Sequence, residues 1–197
     1  MLYKCRIFLF FIFLSLNAQG QKWHKQNINN ELTASFPDKP VHSTLDDYGV
    51  EKYGCQYDNC YFSIEIKGDL IDNYYDFLLE SDSIRESFAM ETLESFAEAM
   101  VNQPFHYLIS KQSKKLGPND YGLDIVFATE EPTVPESNKR YSKLLLIGNS
   151  LYIFEVFYID GEPHDSLKDK FFNSINFNKK IKGGYEFTVN NLELMSK

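Results

Sequence analysis

The stretch Tyr141-Ser142-Lys143-Leu144-Leu145-Leu146-Ile147 and the stretch Ser150-Leu151-Tyr152-Ile153-Phe154-Glu155-Val156 flank Gly148-Asn149, and this constrains the fold more than any other feature. Gly-Asn between two apolar runs is the signal of a two-residue hairpin turn. With that turn, Ile147 faces Ser150, Leu145 faces Tyr152, Lys143 faces Phe154 and Tyr141 faces Val156. The opposite face carries Leu146 with Leu151, Leu144 with Ile153, and Ser142 with Glu155. Both faces are largely apolar, and an antiparallel pair apolar on both sides must be covered on both sides. The expected class is therefore α+β. A central antiparallel sheet of about six to seven strands carries helices on both faces.

The rest of the chain supplies the other elements. Residues 31–36 alternate and stop at Pro37-Asp38-Lys39-Pro40, which reads as a short strand and a turn. Residues 50–56 and 60–67 read as a strand pair, with Phe62, Ile64 and Ile66 on one face and Tyr61, Ser63, Glu65 and Lys67 on the other. Ile71, Tyr74, Tyr75 and Leu78 recur at helical spacing. Ser81 or Ser83 then caps a second helix whose stripe is Ala89, Leu93, Phe96, Ala97 and Met100, stopped by Pro104. Strands are expected over 106–114, 120–128, 140–147 and 150–159, with an acidic, proline-punctuated loop over 130–137. A closing amphipathic helix follows over 163–172, with Leu167, Phe171 and Phe172 as its apolar contacts. Residues 21–177 thus form a single domain, and 178–197 an extension that adds an edge strand or remains a loose tail.

Residues 1–20 read as a secretory signal peptide. Lys4 and Arg6 form a basic start, Ile7 to Leu16 is an apolar run, and small and polar residues follow. The run is shorter than the roughly 20 residues a bilayer-crossing helix needs. Cleavage after Ala18 or Gly20 is expected, which leaves no transmembrane segment and an exported protein, periplasmic or secreted. Cys5 does not sit at the cleavage point, so a lipid anchor is not indicated. The formal net charge is −8, and removing Lys4 and Arg6 makes the mature chain more acidic still. Phosphate-directed binding to nucleic acid is not expected of such a chain.

Export leaves Cys55 and Cys60, and an even pair in an oxidising compartment favours a disulfide. A four-residue loop, Gln56-Tyr57-Asp58-Asn59, can close a hairpin with the two cysteines opposite each other. Two free thiols weigh less, and metal ligation least, because no further ligand lies near in sequence.

The order of elements resembles a family. The chain opens on a strand and Phe36-Pro37-Asp38-Lys39-Pro40 and closes on Phe171-Phe172-Asn173-Ser174-Ile175-Asn176-Phe177. Over residues 31–177 it is similar to the PsbP-like α/β/α sandwich superfamily. The resemblance implies an exported α/β/α domain acting as a non-catalytic binding or assembly subunit. It carries over no site residue. The Cys55–Cys60 hairpin and the segment after Phe177 depart from the pattern.

Signals for catalysis are poor. There is no Gly-x-Ser-x-Gly elbow, no phosphate-binding glycine loop and no His-Glu-x-x-His. His24, His42, His106 and His164 lie far apart in sequence, so no metal site and no cofactor are expected. Three constellations remain. Glu155 sits among apolar neighbours, and the hairpin register puts Arg140 diagonal to it on the same face, as a structural ion pair or as the floor of a ligand pocket. Glu91, Glu94 and Glu98 share a helix face, which reads first as solvated. Asp160-Gly161-Glu162-Pro163-His164-Asp165 is an acidic turn that matches no defined calcium loop. The chain therefore reads as a binding or assembly module whose partner is another envelope or extracellular protein. The alternative is a small-ligand-binding protein, or a small hydrolase or isomerase, with a pocket around Glu155.

Overall fold

Strands β8 (Asn138–Ile147) and β9 (Ser150–Tyr158) pair as the hairpin pattern requires, with Ile147 opposite Ser150 and Ser142 opposite Glu155. Gly148 takes φ 59°, the left-handed conformation that the turn demands and glycine adopts without strain. The computed structural model describes residues 22–45, 49–129, 138–159, 165–177, 179–180 and 186–187. The expected signal peptide, the 130–137 loop and residues 160–164 of the acidic turn lie outside the described residues.

Around that hairpin stand β3 (Val41–Leu45), β4 (Val50–Tyr57), β5 (Cys60–Lys67), β6 (His106–Lys115) and β7 (Tyr121–Thr129). They form a seven-stranded antiparallel sheet in the order β3-β4-β5-β9-β8-β7-β6. Strands β1 (His24–Asn27) and β2 (Leu32–Phe36), with β10 (Asn176–Phe177), make a separate three-stranded sheet. The alternation over 31–36 points to β2, but β1 and β3 have no apolar alternation to betray them.

The two faces of the large sheet are covered differently. On one face, Ala89, Leu93 and Ala97 of the long helix α2 (Asp82–Val101) pack on Leu123, Ile125, Leu144, Leu146 and Leu151. The preceding helix α1 (Tyr74–Leu79) buries none of its residues. On the other face, Phe62, Ile64, Phe154 and Val156 meet Leu32, Ala34 and Phe36 of β2 and Phe171 and Phe172 of helix α3 (Asp165–Asn173). Strand residues outnumber helical ones, and the expected helical layer on both faces needs correcting. The second cover is mainly a small sheet, to which α3 adds two aromatic side chains. The reason lies in β2, whose alternate residues Leu32, Ala34 and Phe36 are all buried and do the covering.

The first helix also differs from its periodicity. Asn73 takes φ 53° and delays the helix to Tyr74, so Ile71 is buried ahead of it rather than on it. Ser81 caps α2, its hydroxyl accepting from the Ile84 amide at 3.4 Å. In the C-terminal segment, β11 (Lys179–Lys180) pairs with β12 (Glu186–Phe187) in a ladder of its own, not as an edge of the large sheet. Among the described residues no helix is long and apolar enough to cross a membrane.

Candidate functional site

Helix α2 lies over β6, β7 and β8. On the same face of the sheet, β4, β5 and the adjoining part of β9 present a different set of residues. The register sets Gly54, Ser63, Glu155, Ser142 and Ile125 in one row across five strands. The row beside it carries Lys52 opposite Glu65. Alternation alone puts these polar groups on the α2 side of the sheet. A cavity of about 310 Å³ opens there, lined from the sheet by Lys52, Ser63, Glu65, Phe127, Arg140, Ile153 and Glu155. Ala99 and Met100 of α2, with Gln103 and His106 just beyond it, complete the wall. Its volume lies at the lower end of the ~300–1,000 Å³ typical of ligand pockets.

Glu155 is the most deeply set charged group in this cavity. Arg140 Nη1 donates to Glu155 Oε1 at 3.4 Å, and Ser142 Oγ donates to Oε2 at 3.1 Å. Burial pushes the Glu155 carboxyl above its ordinary value, and Glu65 adds to this, while Arg140, Ser142 and Lys52 pull it down and do not win. Lys52 shows the opposite outcome. Burial works to lower its ammonium, but the hydrogen bond and charge of Glu65 hold it above the ordinary value. The cavity thus contains two acid–base pairs, Lys52 with Glu65 and Arg140 with Glu155, whose formal charges balance.

Planar groups support Arg140. Its guanidinium carbon lies 4.4 Å from the Phe157 ring centroid and 6.0 Å from that of Phe127. Tyr61 lies tilted against Phe157, with ring centroids 5.1 Å apart, and across Gly54, where a Cβ would collide with the tyrosine hydroxyl. A side chain at position 54 would therefore have to displace the end of Tyr61, a close approach that sequence alone does not reveal. His106 is held from the other side. Its Nδ1 lies 2.9 Å from the Met100 carbonyl, which can only accept, so Nδ1 carries the proton and Nε2 is left as the acceptor of the neutral ring.

The structure thus brings together Arg140 and Glu155, which the hairpin register pairs, and adds Lys52, Ser63, Glu65 and His106, which sequence reading missed. The alternation of 60–67 placed Ser63 and Glu65 on one face, but nothing in the chain showed that β9 would lie beside that face.

The other candidates do not converge. Glu94 is paired with Lys111 at 3.0 Å, and Glu91 accepts from Ser87 at 3.1 Å. Asp165 is paired with Lys168 at 2.9 Å. Among the described residues no group of His, Cys, Asp or Glu has a metal-binding arrangement.

The expected disulfide is corrected. Cys55 and Cys60 are both buried free thiols. The hairpin closes on two residues, Asp58-Asn59, with Asp58 at φ 50°, so Tyr57 pairs with Cys60 and Cys55 pairs with Phe62. That register offsets the cysteines by two positions instead of placing them opposite each other. Burial pushes Cys60 up to about 11 and raises Cys55 as well, which keeps both protonated and unreactive.

No protein-family model and no curated protein matches this chain. Among solved structures, it is similar at 9% identity and a TM-score of 0.39 to PA94 from Pseudomonas aeruginosa, a protein of unknown function, over 75% of this chain and 88% of that one.

Proposed function

We propose that this chain is an exported, single-domain, non-catalytic binding module, and that the cavity at Glu155 holds a small polar ligand. The observation that carries this is the convergence of Glu155, Arg140, Ser63, Lys52, Glu65 and His106 on one cavity, in a face whose remainder is packed with leucine and isoleucine. Polar groups set among an apolar lining are what fixes a ligand's orientation. The balanced pairs favour a ligand with no net charge, neutral or zwitterionic. Arg140 and Ser142 each bond one Glu155 oxygen, which fixes the carboxyl and leaves a second lone pair on each oxygen for a ligand donor. Export rests on the basic start and apolar run of residues 1–20.

A thermal-shift panel of free amino acids and small neutral sugars tests the reading. The expected result is a compound that raises the melting temperature of the wild type and not that of Glu155→Gln, while the unliganded variant stays folded. No shift across the panel, or a shift unchanged in Glu155→Gln, overturns it.

A second reading, docking of an envelope or extracellular protein, is favoured by one observation. Tyr75 and Leu79 of α1 are 85% and 86% exposed, beside Ile84 of α2 at 51%. Capture of an envelope protein that is lost in Leu79→Ser and retained in Glu155→Gln would support this reading over the first.

A further inference from the structure

A second cavity, of about 280 Å³, adjoins the first and shares Arg140 and His106 with it. Its chemistry differs. Whereas the first holds two carboxylates and two cations, the described lining of the second carries one full charge, Arg140, among Pro104, Phe105, Phe157 and Ile159.

Arg140 is only partly committed. Nη1 donates to Glu155, Nε is buried with no hydrogen-bond partner among the described residues, and the side chain remains 31% exposed. A guanidinium carries five N–H donors in a planar fork that suits a carboxylate, and Glu155 takes one from Nη1.

Phe105 supplies the second observation. The His106 amide donates to the Gln103 carbonyl at 3.1 Å, closing a four-residue turn with Pro104 second and Phe105 third. Phe105 has φ 68°. That is the third position of a type II turn, where glycine or asparagine is normal. The phenylalanine is nevertheless 63% exposed, so burial does not offset the backbone strain. Strain of this kind persists at ligand clamps.

We propose that this second cavity binds a small amphipathic carboxylate, with its head on the Arg140 guanidinium and its apolar body against Phe105, Phe157 and Ile159. The site goes beyond the polar-ligand reading of the first cavity and does not depend on it.

Calorimetric titration with octanoate below its micellar concentration, alongside 1-octanol and octylammonium, tests the proposal. Octanoate is expected to bind at least tenfold more tightly than either control. Phe105→Gly should weaken octanoate at least fivefold while its melting temperature holds or rises, because glycine is at home in that turn. Arg140→Gln should weaken it at least tenfold. Absence of octanoate binding, equal binding of all three probes, or unchanged binding in Phe105→Gly overturns the proposal. Phe105 lines the second cavity and not the first, so the octanoate result and the polar panel fail independently of each other.

Discussion

Glu155 shows how burial can reverse the meaning of an ion pair. A carboxyl raised in the folded state favours folding as the neutral acid, and that preference is lost as pH rises from the ordinary carboxyl range through the raised value. Glutamine imitates the neutral form and keeps an acceptor for Arg140 and Ser142. Glu155→Gln should therefore match or exceed the wild type in urea midpoint at pH 7, with the difference vanishing near pH 4. Arg140→Ala should instead lose about 1–3 kcal/mol, because it strands a buried carboxylate. A Gln variant clearly less stable than wild type at pH 7 would contradict this account. Lys143 presents the same balance with a base. It is 4% exposed, 3.1 Å from Asp124 and 5.1 Å from the Phe172 ring, and burial lowers its ammonium. The folded state resists the charge, so stability is gained as pH rises through the lowered value. Lys143→Met should keep or raise the melting temperature, since Lys114 still neutralises Asp124 at 2.8 Å.

At the scale of elements, turn geometry decides what neighbouring strands do. The Gly148-Asn149 turn lies where the residue pattern puts it, and Asn149 has a second task. Its side chain accepts from the Ile71 amide at 2.7 Å and donates to the Ile71 carbonyl at 3.2 Å, tying the approach to α1 onto the hairpin tip. Asn149→Ala should cost about 1–3 kcal/mol by leaving that backbone unpaired, and hydrogen exchange should speed up at Ile71 before the β8–β9 ladder responds. The Asp58-Asn59 turn is shorter than the loop the cysteine spacing invites, and this alone separates the two sulfurs. Cys55 and Cys60 should therefore stay unalkylated in the native protein and take up two iodoacetamide adducts on denaturation. Native protein carrying an intact Cys55–Cys60 bridge would show the register to be wrong.

For the whole molecule, incomplete cover of one sheet face creates the cleft. Helix α2 covers mainly the β6-β7-β8 side of its face, and the polar groups of β4, β5 and β9 line the cavity beside the end of the helix. The export proposed from the basic start and apolar run of residues 1–20 is tested at the same scale. Secreted material should begin at Gln19 or Gln21 by intact mass; Met1 retained on exported protein would rule out cleavage.

Local pattern was enough to determine the hairpin, its register, the Arg140–Glu155 diagonal, the α2 stripe and the need for cover on both faces. Each depends on residues a few positions apart and on fixed periods of two or 3.6. The register of β5 against β9, which sets Ser63 beside Glu155, pairs residues nearly a hundred positions apart. The same holds for the return of β2 and β10 over the second face, and for the arrival of His106 at the mouth of the cavity. Such contacts are chosen by which packing buries the most apolar surface at once, a property of the assembled layers that no single segment carries.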